Sequence, residues 1–219
     1  GTLVPELSNN DSIVVDLNPA ARWSDGKPVN SNDVKYIFTK GSVSTVEQIA
    51  DIHVDTLYEA SADTTAPKKM KGERLSFMVA KDKRNNPLSV MDLLQAIRIV
   101  PSHVFAELEK QHGDVAEVKK LMLDKNPLDG KPPVVSGPYN LKDYSSTKII
   151  LQRRDDYWGN AALHEGKLPA PKYIVHPIYK SNEHSTIAMR EGNLDASMSF
   201  IPRIERKAIS GIHTWYDQA

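Results

Sequence analysis

Short apolar runs broken by turn chemistry set the rhythm of this 219-residue chain. Ser12 to Leu17 (SIVVDL) is β-branched and predicts a strand, with Asn18-Pro19 as the turn behind it. Arg22-Trp23 then leads into Ser24-Asp25-Gly26-Lys27, where Asp-Gly signals a tight reversal because glycine accepts a positive φ. Pro28 holds Lys27 extended. Asn30 and Asp33 stand three residues apart, so Asn30 caps a helix while the Asp33 carboxylate returns to the Asn30 N–H. Val34, Ile37 and Phe38 share one face of that helix, and Gly41 is its stop signal.

Further along, Gln48 to Tyr58 fits either a strand or a short helix. Ala62 to Gly72 is a polar, proline-broken loop, and Arg74 to Ala80 (RLSFMVA) predicts a strand. Pro87 to Ile99 carries Leu88, Met91, Leu94, Ala96 and Ile97 at helical spacing. Pro101 suits the first turn of another helix, with Val104, Phe105 and Leu108 inward. A polar helix over Val115 to Asp124 follows, then the breaker cluster Asn126 to Pro133 (NPLDGKPP), which marks a subdomain boundary. The second half predicts strands at Tyr139–Tyr144, Lys148–Arg153, Tyr173–Ile178 and Leu194–Phe200. It also predicts helices at Ser181–Arg190, ended by Gly192-Asn193, and at Pro202–Ser210. Strands and helices mix without internal repeat, so the class is α/β, or α+β with a mixed sheet.

Charge and composition narrow the function by exclusion. Lys plus Arg and Asp plus Glu both number 28, which gives no electrostatic reason to expect nucleic acid or an anionic membrane as partner. Cysteine is absent, so the chain has no disulfide, thiolate zinc site or cysteine nucleophile. No apolar run approaches the roughly 20 residues that span a bilayer. The opening GTLVPELSNN has neither the basic nor the apolar region of a signal peptide. Seven histidines are scattered without metal-ligand spacing and read as surface or helix-end residues. Asp155-Asp156 reads as a solvated turn, because neighbouring strand-end side chains diverge. No nucleophile elbow or phosphate loop occurs. The aromatics crowd the second half, including Tyr139, Tyr144, Tyr157, Trp158, Tyr173 and Phe200. They suit either core packing or a cleft that binds varied ligands.

Three segments, taken in order and spacing, resemble the family 5 extracellular solute-binding proteins, the peptide receptors of bacterial ABC importers. The first is LVPELSNN followed by ARWSDGKPVNSNDVKYIF, similar to the family's strand, W-S-D-G-x-P-V and capped helix. The second is VVSGPYNLKDYSSTKIILQRRDDYWG, similar to a G-x-G-P-Y hairpin ending in N-x-x-Y-W. The third is YIVHPIYKSNEHSTIAMREGNLDAS, a strand, a helix and a G-x-x-D strand. The resemblance implies a lobe of the periplasmic-binding-protein type, type II-like. Residues 1–128 would form its smaller subdomain and 129–219 part of its main sheet.

Family members are much longer, so the resemblance also implies a fragment that lacks its partner lobe and the aspartate that meets a peptide's amino group. It implies a receptor outside the cytoplasmic membrane that closes on a peptide or other small solute and passes it to a membrane permease. No cofactor and no metal follow from it. Cleft-facing residues are expected at Ser136, Gly137 and Tyr139 and on the strand Ser197, Met198, Ser199 and Phe200. Ser24-Asp25-Gly26 is expected to be scaffold, with Trp23 packed behind it. An uncovered cleft wall is expected to favour self-association of the fragment. The competing readings are a non-peptide solute (oligosaccharide, metal chelate or haem) and a sensor lobe fused to a DNA-binding regulator.

Overall fold

The computed structural model describes residues 1–40, 46–60, 68–84, 88–114, 116–118, 120 and 133–197. Its first half is built on a four-stranded antiparallel sheet in the order β1-β2-β4-β3. Here β1 is Thr2–Leu3, β2 is Ser12–Asp16, β3 is Ile49–Tyr58 and β4 is Met70–Val79. The register places Ile13, Phe77 and Ile52 in one cross-strand row and Val15, Leu75 and Val54 in the next. These rows point to one face because side chains alternate along a strand. Helix α1 (Ser31–Lys40) lays Val34 and Phe38 on that face, and Val90 of α2 (Leu88–Ala96) joins the same cluster. Phe38 and Phe77 pack tilted with ring centres 5.7 Å apart. Leu75, Val79 and Val90 have no exposed surface.

The start of α1 follows the spacing of its residues. Asn30 Oδ1 accepts from Asn32 N at 2.9 Å, and Asn30 N donates to Asp33 Oδ2 at 3.0 Å. A second cap comes from the sheet, where the Glu73 carboxylate accepts from Ser31 N at 2.7 Å and from Ser31 Oγ at 3.1 Å. Helix α3 (Ser102–His112) lies beside α1, with Phe105 against Tyr36 at 5.7 Å. Val104, Phe105 and Leu108, the positions expected to face inward, are only half-buried. At the cross-strand pair of β2 and β4 next along from Val15–Leu75, Arg74 holds Asp16 through two bonds, Nε–Oδ1 at 2.6 Å and Nη2–Oδ2 at 2.8 Å.

The Asp16–Arg74 pair sets a pH dependence. The hydrogen bond from Arg74, its charge and that of Lys71 hold the Asp16 carboxyl below its ordinary range, against the opposing effect of burial. A carboxylate depressed in the folded state stabilises above its unfolded pKa of about 3.9 and loses that contribution as pH falls through the folded value. The urea midpoint should therefore drop as pH falls below about 4, and Asp16→Asn should flatten that drop. An unchanged profile in the variant would remove Asp16 from the acid response.

The second half forms a three-stranded antiparallel sheet in the order β5-β6-β7. Its strands are β5 (Tyr139–Tyr144), β6 (Lys148–Arg153) and β7 (Tyr173–Pro177). Ser145 closes the β5–β6 turn by exchanging bonds with Thr147 and Lys148. Helix α4 (Trp158–His164) separates β6 from β7, and α5 (Asn182–Arg190) follows with Ser181 as its cap.

The structure departs from the sequence reading in three places. Strand β4 begins at Met70, inside the expected loop Ala62–Gly72. The α4 helix has no counterpart in the sequence reading. The segment 194–197 is irregular, and the remainder of the expected strand Leu194–Phe200 lies outside the described residues. The stop at Gly41, the breaker cluster up to 132 and the helix Pro202–Ser210 also lie outside them, as does much of Val115–Asp124.

Candidate functional site

The turn Trp23–Lys27 reverses the chain with Gly26 at φ 84°, where a side chain would strain the backbone. Trp23 packs behind it, 4% exposed, and its indole Nε1 donates to Asp33 Oδ2 at 3.0 Å. The other oxygen of Asp33 accepts from Ser102 N at 2.8 Å and from Ser102 Oγ at 2.7 Å. One buried carboxylate thus ties the turn, the start of α1 and the start of α3 together. Asp25, at the tip of the turn, meets His103 Nε2 at 2.7 Å. Burial pushes the Asp25 carboxyl up, but the bonds from His103 and Lys27 N, with the electrostatic influence of those two side chains, outweigh it and hold it below its ordinary range.

Ser24 does something the local pattern does not show. Its N–H donates to Val135 O at 2.7 Å, and its Oγ accepts from Val135 N at 3.1 Å. Arg22 O accepts from Ser136 Oγ at 3.0 Å. The turn is therefore the face on which residues 135–138, leading into β5, are docked. From the other side Trp158 Nε1 donates to Ser136 O at 3.0 Å and Ser136 Oγ at 3.1 Å. The Arg154 side chain, 4% exposed, donates from Nη1 to Gly137 O at 3.1 Å and to Val135 O at 3.3 Å. Its remaining bonds go to Asp156, at 3.2 Å from both Nε and Nη2.

The expected cleft residues separate into two groups. Ser136, Gly137 and Tyr139 lie together at this joint, all half-buried. No atom lies within 4 Å of the position a Cβ would take at Gly137, so open space adjoins it. Tyr139 donates its hydroxyl to Pro171 O at 2.8 Å. Ser197 is half-buried in the irregular stretch after α5, and Met198, Ser199 and Phe200 lie outside the described residues. Asp155 and Asp156 are the solvated turn expected, each largely exposed and each paired with an arginine two residues earlier. Among the described residues no three His, Asp or Glu side chains converge as metal ligands, and no helix is long and apolar enough to cross a membrane.

A separate groove of about 560 Å³ runs between α1 and α3, lined by Lys27, Asn30, Lys35, Tyr36, Ser102 and His103 among others. It contains none of the expected cleft residues. Burial and a hydrogen bond to Glu109 push the Tyr36 hydroxyl well above the ordinary tyrosine range, so it stays a neutral donor.

This mixed α/β architecture, with its antiparallel sheets, is that of a type II periplasmic-binding-protein lobe. A periplasmic oligopeptide-binding protein of Thermotoga maritima, solved with mannohexaose bound, superposes on 97% of the chain with a TM-score of 0.66 and 25% identity. The sequence profile of the bacterial extracellular solute-binding proteins, family 5 Middle, matches residues 6–216, and the chain belongs to that family. Two relatives from Agrobacterium fabrum are similar in sequence. "Probable peptide-binding protein YejA" is 25% identical over 199 residues, 89% of this chain. "Peptidoglycan-binding protein YepA" is 29% identical over 153 residues, 67% of this chain. The chain spans 29% and 20% of those two relatives and 35% of the Thermotoga protein.

Proposed function

We propose that this chain is part of an ABC-importer receptor that binds peptides outside the cytoplasmic membrane and delivers them to a membrane permease. The observation that carries this reading is the match to the YejA relative over 89% of the chain, alongside an oligopeptide-binding protein of the same fold. In this reading residues 1–128 form a smaller subdomain and 129–219 part of the main sheet. The cleft wall includes Ser136, Gly137, Tyr139 and the segment Ser197, Met198, Ser199 and Phe200. The solute is buried by closure of this lobe on a second one. An extended peptide would be held largely through its backbone, which gives affinity with little sequence preference.

A second reading, an oligosaccharide or a peptidoglycan-derived solute, is favoured by the mannohexaose in the Thermotoga protein and by the name of the YepA relative. Native mass spectrometry of the full-length receptor with its co-purifying solute separates the two. Masses that fragment into amino acids support the first, and a hexose or amino-sugar ladder supports the second. A metal chelate or haem would sink both.

Gly137→Ala provides a sharper test of the wall. The added methyl meets no protein atom, and Gly137 is absent from the glycines with positive φ, so stability should change by no more than about 1 kcal/mol. A solute backbone lying against this wall would meet the methyl instead. Overpacking of that kind costs about 1–3 kcal/mol, so peptide affinity should fall roughly tenfold or more by calorimetry. Unchanged affinity would take Gly137 out of the cleft.

A further inference from the structure

The backbone between Val135 and Pro138 is engaged very unevenly. Every carbonyl in the stretch is held by the protein. Val135 O accepts from Ser24 N at 2.7 Å and from Arg154 Nη1 at 3.3 Å. Ser136 O accepts from Trp158 Nε1 at 3.0 Å, Gly137 O from Arg154 Nη1 at 3.1 Å, and Pro138 O from Arg154 N at 2.8 Å. The donors differ. Val135 N bonds to Ser24 Oγ, and Pro138 has no N–H to offer. The two N–H groups between them, of Ser136 and Gly137, meet no acceptor among the described residues. Both residues are only half-buried, and open space adjoins Gly137.

Backbone N–H groups are strong donors that native proteins leave unpaired only where water or a ligand completes them. A stretch whose carbonyls are all engaged, while two successive N–H groups have no acceptor among the described residues, favours a partner atom that accepts. We propose that Ser136 and Gly137 form a backbone donor site for a carbonyl or carboxylate oxygen of the solute. The inference rests on the peptide reading above and adds to it the chemistry of one contact. Ser24, Arg154 and Trp158 are then positioning residues. They engage the four carbonyls, so the backbone groups of the loop without a partner among the described residues are donors. The turn Ser24-Asp25-Gly26 thereby serves the site from a distance, although none of its side chains needs to touch the solute. A peptide's amino group, which only donates, finds no backbone carbonyl here that the protein has left unengaged.

The test uses the full-length receptor labelled with ¹⁵N-glycine and ¹⁵N-serine, titrated in turn with alanine peptides of two to five residues and with their C-terminal amides. In the unliganded receptor the Ser136 and Gly137 amides should exchange with solvent at near-unprotected rates. On saturation both should shift, and their exchange should slow at least tenfold. Response to the free acids but not to the amides would assign the oxygen to the terminal carboxylate. Response to both would assign it to a peptide carbonyl, and either result supports the site.

Trp158→Phe, which releases Ser136 O, should weaken binding by up to about tenfold and diminish the Gly137 response. Arg154→Lys, which cannot reach both carbonyls and Asp156 together, should do the same, and where it fails to fold the Trp158 variant carries the comparison. Peptide binding with no Gly137 or Ser136 response would overturn this inference and leave the peptide reading standing. Protected amides in the unliganded receptor would overturn it without any ligand. Absence of binding to every alanine peptide would overturn the peptide reading, and this contact with it.

Discussion

Asp33→Ala should cost the first half of the chain about 3–5 kcal/mol, among the largest losses expected of any single polar residue here. The carboxylate is 1% exposed and accepts from Trp23 Nε1, Asn30 N, Ser102 N and Ser102 Oγ. Hydrogen bonds to a charged acceptor contribute roughly 1.5–3 kcal/mol each, but bonds sharing one group are not additive, so the total stays well below their sum. The larger part of the cost is what remains behind. The Trp23 indole N–H would be buried without a partner, and the N–H groups of Asn30 and Ser102 at the starts of α1 and α3 would lose theirs.

Asp33→Asn should rescue little of this. Its amide has a single acceptor oxygen, while donors approach both oxygens of the carboxylate, so the NH₂ group would face N–H or O–H donors. Urea unfolding followed by fluorescence gives both losses as shifts of midpoint at constant slope. Near-wild-type stability of Asp33→Asn would show that only one side of the carboxylate matters.

Much of this arrangement is legible in the sequence wherever it is local. The Asn30/Asp33 spacing, the Asp-Gly reversal and the period of Val34, Ile37 and Phe38 all produce the element expected, because each is decided within a few residues. The ambiguity over Gln48 to Tyr58 has a physical source. Register shifts between Ile49 and Asp51, where Ala50 is an extra residue in β3, so the buried positions Ile49 and Ile52 fall three apart. That mimics a helical period inside a strand.

Helix α4 escapes sequence reading because it is a single short element containing Gly159 and Asn160, both weak helix formers. The joint escapes it more completely. Ser24 and Val135 are 111 residues apart, and nothing in W-S-D-G marks its serine as a partner for the segment that precedes β5. Trp23 and Asp33 were likewise legible as a packed ring and a capping carboxylate, but not as each other's partners. Of the residues the resemblance pointed to, Ser136, Gly137 and Tyr139 lie together at the joint, Ser197 lies in the irregular stretch after α5, and Met198, Ser199 and Phe200 lie outside the described residues.

Leu75→Ala should unfold both halves of the 219-residue chain together, at a cost of about 3–5 kcal/mol. Leu75 has no exposed surface and sits between Val15 and Val54 in the central row of the first sheet. Truncating a fully buried leucine to alanine removes its transfer free energy and leaves a cavity, which costs about 2–5 kcal/mol. A site on the central strand β4, framed by strands on both sides, collapses poorly and belongs at the upper end. Among the described residues the second half shows no comparable core: no residue within β5, β6 or β7 is buried, and only Ala188 of α5 is a buried apolar side chain there. That sheet is instead docked on the first half through the bonds of Ser24 with Val135 and of Arg22 O with Ser136 Oγ. Loss of the first sheet should therefore remove the surface the second one rests on.

Fluorotryptophan resonances of Trp23 and Trp158 place one reporter in each half. Both should lose their native signals at the same urea concentration, shifted equally by Leu75→Ala. If Trp158 kept its native resonance after Trp23 had unfolded, the β5–β7 sheet would hold itself together, and the joint at Ser24 would be a contact between independent units.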